Sequence, residues 1–419
     1  MRLDNAALIF PAISRTGWVN TFRLSVHLKD EVDPLILQQA VDELKDRFPS
    51  FYVRLSTGVF WYSLVEVKQT PKVQADYAYP LTHMSGRERR KCCFRVLYYR
   101  NRIAVEFFHV ITDGSGGIAF LEALAGRYLE LKEEVQIGEG AGVLTVRETP
   151  SAEETEDAFH KCSGKYAMSR KEPAAYHIRG SKDLTGFRHL ITGVVQTDRL
   201  VQLAHSFGTT VNGLLCALMT KAVIRIQAEQ VREARRKPVK ITVAVNLRKV
   251  FSIDTLRNFA LVLNIGVDPR LKDYTLEELC DEYNHQVALE SKPEKMAARV
   301  AANVLPSTNL LLKLAPLPLK NLVLRIVYTF SGERNGCLNI SNLGKVTLPE
   351  EMASHIERFD FVVGVQYSYP NNCSVVSFGN KTCINMIRNI FETELERRFF
   401  SSLVELGVPV SIESNEQGH

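Results

Sequence analysis

The run Glu106-Phe107-Phe108-His109-Val110-Ile111-Thr112-Asp113-Gly114-Ser115-Gly116-Gly117 constrains this chain more than any other part of it. Upstream, Phe94 to Tyr99 and Ile103 to Val110 are apolar and aromatic and are split by Arg100-Asn101-Arg102, which predicts a hairpin. Downstream, Ile118, Leu121, Leu124 and Tyr128 recur at helical spacing. The unit is strand, glycine-rich turn, helix. The strand carries His109 to its C-terminal rim, and Gly114, Gly116 and Gly117 permit backbone conformations that other residues resist. An imidazole at such a rim, with an unperturbed pKa of about 6.5, suits proton abstraction near neutral pH. Ten histidines occur, and only His109 has an aspartate four positions later. The residues alone leave two readings open. His109 is either a general base or a strand-end histidine bonded to a carbonyl.

Other chemistries fit this turn poorly. No third ligand stands near His109 and Asp113, and residues flanking a turn share no helix face, so no metal is expected. Gly-Ser-Gly-Gly does not meet the dinucleotide fingerprint, and no acidic partner follows at the right distance.

Around the unit the pattern alternates between strands and helices. Thr21 to Leu28 reads as a strand, and Asp33 as the N-cap of a helix ending near Phe48-Pro49. Phe51 to Leu55 and Val59 to Val67 read as short strands about Ser56-Thr57-Gly58. From Glu133 to Ala175 the pattern collapses into acidic and small residues, as a solvated linker would. It divides the chain into an N-terminal lobe, 1–175, which carries the His109 unit and ends in the acidic linker, and a C-terminal lobe, 176–419. Beyond it, strands fit His189 to Gln196, Ile241 to Leu247 and Phe259 to Val267, with helices near Thr197 to Ser206 and Val211 to Glu229. Two or three helices fill Thr275 to Tyr328, four alternating segments follow, and Glu392 to Leu406 closes as an amphipathic helix. Two similar α/β lobes are expected, rather than a doubly wound parallel sheet.

Charge and cysteine usage narrow the partners. The 52 basic and 47 acidic residues leave a formal charge of +5, too even for a dedicated nucleic-acid protein but enough to favour an anionic co-substrate. The eight cysteines form no CxxC pair and no zinc spacing, so reduced thiols and a cytoplasmic location are expected. The N-terminus lacks a signal-peptide pattern. The most apolar region, Leu310 to Phe330, is interrupted by Lys313, Lys320, Arg325 and two prolines. That excludes a membrane span and favours a buried helix over a lipid-touching surface.

With these residues in view, the sequence resembles the superfamily that contains chloramphenicol acetyltransferase, plant acyl-CoA transferases, alcohol acetyltransferases and the condensation domains of nonribosomal peptide synthetases. His109-Val110-Ile111-Thr112-Asp113-Gly114 is similar to its HxxxDG motif. Val245-Asn246-Leu247-Arg248, Arg257-Asn258-Phe259 through Asn264, Ile340-Ser341-Asn342-Leu343-Gly344 and the opening Asp33 to Phe51 resemble further segments of it. Two departures are visible. Phe108 stands where many relatives carry a second histidine, and the DFGWG motif of the plant enzymes is absent.

The resemblance implies two chloramphenicol-acetyltransferase-like α/β sandwich lobes with an active-site tunnel between them. It implies His109 as general base, Asp113 and Gly114 as motif residues, and an Asp113–Arg248 ion pair. Ser341 and Asn342 become candidate oxyanion or tunnel residues. Acyl-CoA would be a co-substrate with no permanently bound cofactor, and an alcohol or amine the acceptor. A carrier protein as acyl donor, or a non-catalytic binding module, are the alternatives it leaves.

Overall fold

The computed structural model describes the chain except residues 15–19, 134, 139, 141, 169–171, 309–313, 367 and 417–419. Its strands are β1 (Thr21–Leu28), β2 (Val53–Thr57), β3 (Tyr62–Glu66), β4 (Gln74–Ala75), β5 (Phe94–Tyr99), β6 (Arg102–Phe108) and β7 (His189–Gln196), followed by β8 (Val239–Asn246), β9 (Ala260–Val267), β10 (Leu338–Val346), β11 (Ile356–Val363), β12 (Asn371–Phe378), β13 (Lys381–Arg388) and β14 (Ser411–Ser414). One sheet has the order β11-β1-β6-β5-β4, a second β14-β7-β13-β12-β10-β8-β9, and β2 and β3 form a separate hairpin. Pairing is mostly antiparallel; β10 runs parallel to both β8 and β12, and β4 parallel to β5.

The first sheet shows why local sequence suffices for its elements. Along β6, Ile103, Val105 and Phe107 enter the same apolar core as Phe22, Leu24 and Val26 of β1. The Gly114–Glu133 helix closes that core with Phe120, Leu121, Leu124 and Tyr128. The other face of the sheet is polar yet buried. Arg23 and Arg95 converge on Glu106, and Arg23 and Arg102 on Asp76. Charges so deeply placed hold only because each is paired. The Pro34–Glu43 helix starts where expected, with Asp33 accepting from Leu35 N and Ile36 N.

Among its described residues, the linker region contributes two short turns of 3-10 helix, Glu153–Thr155 and Ala158–His160. Sheet membership does not follow chain order, because β11 is an edge strand of the first sheet, paired with β1 from Phe22↔Val363 to Leu28↔Ile356. The second core is built by β7 to β10, β12 and β13 with the Val211–Gln230 and Leu276–Glu290 helices. The Val211–Gln230 helix is long and apolar enough to cross a membrane, but two-thirds of its apolar window (67%) is buried in the protein. All eight cysteines are free, most of them buried.

One expectation fails. The Leu317–Ser331 helix is not buried: Leu319, Leu322, Ile326 and Val327 are exposed. The preceding residues 310–313 of that apolar region lie outside the described residues.

Candidate functional site

His109 is the first residue past β6, and its backbone N–H donates to Asn20 O (2.9 Å). His109 as a whole residue is partly buried. Phe10 stacks on the imidazole at 4.4 Å and 19°, and Phe22 meets it edge-on at 5.1 Å. These two rings fix its plane.

Asn258 fixes its tautomer. The Asn258 Nδ2 group donates to Asp4 Oδ2 (3.1 Å) and to His109 O (3.1 Å). Both of those partners are acceptors, so the amide nitrogen must point at them. Asn258 Oδ1 therefore faces His109 Nδ1 at 2.9 Å and accepts its proton. Nε2 is left as the nitrogen with the lone pair. Burial lowers the His109 pKa below the usual 6.5, against the opposing charge of Asp113 and the Asn258 hydrogen bond. The ring is thus neutral at physiological pH, the state a base requires.

Behind Asn258 lies Asp4, fully buried, with Arg257 at 3.5 Å and Ala7 N donating to its Oδ1 at 2.7 Å. Burial pushes its carboxyl up to about 6, although Arg257 and Asn258 pull the other way.

Asp113 does not reach toward the imidazole's free edge. Its Oδ1 accepts from Ser115 N (3.1 Å) and Gly116 N (3.2 Å), which caps the Gly114–Glu133 helix. Its Oδ2 accepts from Arg248 Nη1 (2.9 Å) and Phe259 N (2.7 Å). Arg248 also donates to Thr255 O (2.6 Å) and Arg257 O (2.5 Å). One carboxylate therefore bolts the motif turn to the segment between β8 and β9. Burial alone would raise the Asp113 pKa, but Arg248 and the backbone donors hold it below the ordinary carboxylate value.

Gly116 is needed by contact with backbone, whereas Gly114 meets only the movable end of a side chain. A Cβ on Gly116 would lie 2.1 Å from Leu256 O and 2.2 Å from Thr112 Oγ1, and one on Gly114 would lie 2.7 Å from Leu343 Cδ2. Gly114 is thus where β10 meets the motif.

The structure brings His109, Asp113, Gly114 and Arg248 together in one site. It places Ser341 and Asn342 half-buried on β10, the strand whose Leu343 touches the turn. Asn342 Oδ1 is used locally, accepting from Gly344 N at 2.8 Å where Gly344 takes a φ of 78°. Phe108 is core, covered by the Arg89 guanidinium at 4.9 Å. Asn258, Asp4 and Phe10 were not singled out by sequence. Asn258 stood within the stretch that resembled the superfamily, without a role.

Comparison with known proteins bears on the fold. No protein-family model matches the sequence, and no curated protein does. Among solved structures, TRI101 of Fusarium sporotrichioides, complexed with coenzyme A and T-2, covers 98% of this chain and 99% of its own at a TM-score of 0.66 and 10% identity. The chain has the two-lobed chloramphenicol-acetyltransferase-like fold. Within that fold it is also similar to the wax ester synthase/diacylglycerol acyltransferase of Marinobacter aquaeolei VT8, with a TM-score of 0.56, 14% identity, and coverage of 97% and 100%. The epimerization domain from the third module of tyrocidine synthetase B matches with a TM-score of 0.56, 11% identity, and coverage of 93% and 90%.

Proposed function

We propose that the chain transfers an acyl group from an acyl-CoA, acetyl-CoA first among them, to an alcohol or amine, with His109 as general base. The observation that carries this reading is the imidazole at the strand end whose Nδ1 is engaged by Asn258, leaving Nε2 with the lone pair, and whose pKa burial lowers. The reading is further supported by the fold shared with TRI101, which was crystallised with coenzyme A.

In the proposed step, His109 Nε2 takes the proton of the acceptor's hydroxyl or amine. The oxygen or nitrogen forms a bond to the thioester carbonyl carbon, and the carbonyl electrons move to oxygen. Collapse of this intermediate breaks the carbon–sulfur bond, and the departing thiolate recovers the proton from Nε2. Proton transfer of this kind is worth about 10²–10⁴-fold in rate. Both reactants would enter a tunnel between the lobes from opposite faces, and holding them together adds to the rate. Ser341 and Asn342, from the second lobe, are the proposed donors to the oxyanion. Asp113 and Arg248 act by holding the turn.

The test is thiol release across several acyl-CoAs with a panel of alcohols and amines. Release dependent on both substrates is the expected result. Release only from a thioester on a carrier protein would replace the CoA donor with a condensation-like one. No release from either donor would leave a non-catalytic binding module and end this reading.

The pH profile follows from burial of His109. The base form exists above its lowered pKa, so kcat/KM is expected to rise with pH through an apparent pKa below 6.5 and to be level at neutrality. An acid limb above the ordinary histidine value, measured with one acyl-CoA at saturating acceptor, would contradict the assignment.

A further inference from the structure

The segment before β1 reaches into the site at several points. His109 N donates to Asn20 O (2.9 Å), Asn20 Nδ2 donates to Phe10 O (3.0 Å), and the Phe10 ring stacks on the imidazole. The same segment delivers Asp4, and the proposed transfer gives that carboxylate no task. Asp4, Arg257 and Asn258 are all buried. A carboxylate so far from water is held there only by its partners.

Three donors surround it. Ala7 N donates to Oδ1 (2.7 Å), Asn258 Nδ2 donates to Oδ2 (3.1 Å), and Arg257 Nη2 lies 3.5 Å from Oδ2. The Ala7 bond is local, of the kind a short acceptor makes with the turn that follows it. The Asn258 bond is not local. It joins residues 254 positions apart, at the one side chain that engages His109 Nδ1.

An amide side chain can turn over with little change of shape, exchanging its oxygen and its nitrogen. Turned over, Asn258 would present its NH2 group to His109 Nδ1. That nitrogen would then have to accept, and the ring proton would move to Nε2, where the base needs its lone pair. Two acceptors oppose this, Asp4 Oδ2 and His109 O. Of the two, Asp4 carries charge. Burial pushes its carboxyl up to about 6, and Asp157, which accepts from Asn5 N (3.0 Å), adds to the rise, while Arg257 and Asn258 oppose it. At neutrality it is therefore ionised and only accepts. Without it the amide would face Arg257, a cation that needs an oxygen, and the turned-over amide would supply one.

We infer that Asp4 is a positioning residue for the transfer. Its carboxylate holds the Asn258 amide in the orientation that accepts from His109 Nδ1, and so keeps the Nε2 lone pair for the proton of the incoming hydroxyl or amine. Asp4 acts through Asn258. The kinetic consequence rests on the acyltransferase reading; the tautomer does not.

Nitrogen NMR of the full chain, labelled at its histidine nitrogens, tests the tautomer directly. It is recorded at about pH 8, above both titrations, and His109 is assigned by the signals that His109→Gln lacks. Wild type should carry its ring proton on Nδ1, and Asp4→Ala should move it in good part to Nε2. A wild-type proton on Nε2, or an unmoved one in Asp4→Ala, would overturn the inference. A cycle of kcat measurements tests the route. Asp4→Ala and Asn258→Ala should each lower kcat at least about tenfold, with KM for the acyl-CoA within about twofold, because the ring is lost as a base and not as a binding surface. The double variant should be no slower than Asn258→Ala, since both substitutions break one link. Losses that multiply in the double variant are those of a carboxylate that only supports the fold, and would overturn the role. If Asp4→Ala does not fold, Asp4→Asn takes its place with the same outcomes, because one oxygen cannot serve three donors. A wild type that releases no thiol, yet shows the Nδ1 proton that Asp4→Ala displaces, would end the acyltransferase reading and leave the positioning role standing.

Discussion

His109→Ala is expected to lower acyl transfer by about 10²–10⁴-fold, the usual worth of a positioned general base. The effect falls on kcat more than on KM, because the proton moves only in the transition state. The acid limb of the pH profile should vanish with it. The fold should survive, since His109 is a partly buried residue just past the end of β6 and not part of a strand. Asn258 Oδ1 loses its partner, at a cost of about 1–3 kcal/mol. Thiol release and a melting curve on the same preparation check both halves. Undiminished release from a folded variant would dismiss the base.

Asp113→Ala is expected to cost about 3–5 kcal/mol of stability, as does breaking a buried ion pair from one side. The carboxylate receives four donors, and the Arg248 guanidinium it neutralises is itself largely buried. Arg248→Met should cost a similar amount. The double variant should cost less than the sum, because both singles remove the same interaction. Urea unfolding of the three variants measures this. Asp113→Asn keeps the shape and removes the charge, so it should lower yield or turnover without abolishing substrate binding. Wild-type yield and turnover in that variant would contradict the role. The sign with pH is also fixed. The folded pKa of Asp113 lies below its ordinary value, so the unfolded chain binds the proton more readily as pH falls. This contribution is complete above the ordinary carboxylate range and is lost as pH drops through the lower folded value.

What could be read from the sequence was local. β7 and the Thr197–Ser206 helix fall where the residue pattern put them, and Asp33 caps its helix as expected. Such elements depend on residues within a few positions of one another, and so does the passage from β6 through the motif turn into its helix. The Asp113–Arg248 pair, 135 positions apart, was expected only because the segment around Arg248 resembled known proteins. No periodicity reports a contact of that range.

Tertiary structure decided the rest. Asn258 is 149 positions from His109, and Asp4 is 254 from Asn258, so the arrangement that sets the tautomer exists only once both lobes are packed. The placement of β11 beside β1 is of the same kind. Periodicity predicted helix for the apolar run after residue 310, but its direction was a tertiary matter. Lys320, Asn321 and Arg325 found oxygen acceptors on the hairpin and the N-terminal segment, and the apolar stripe was turned outward. A repeat in sequence defines a face; which way that face points depends on the partners offered by chain elements far away.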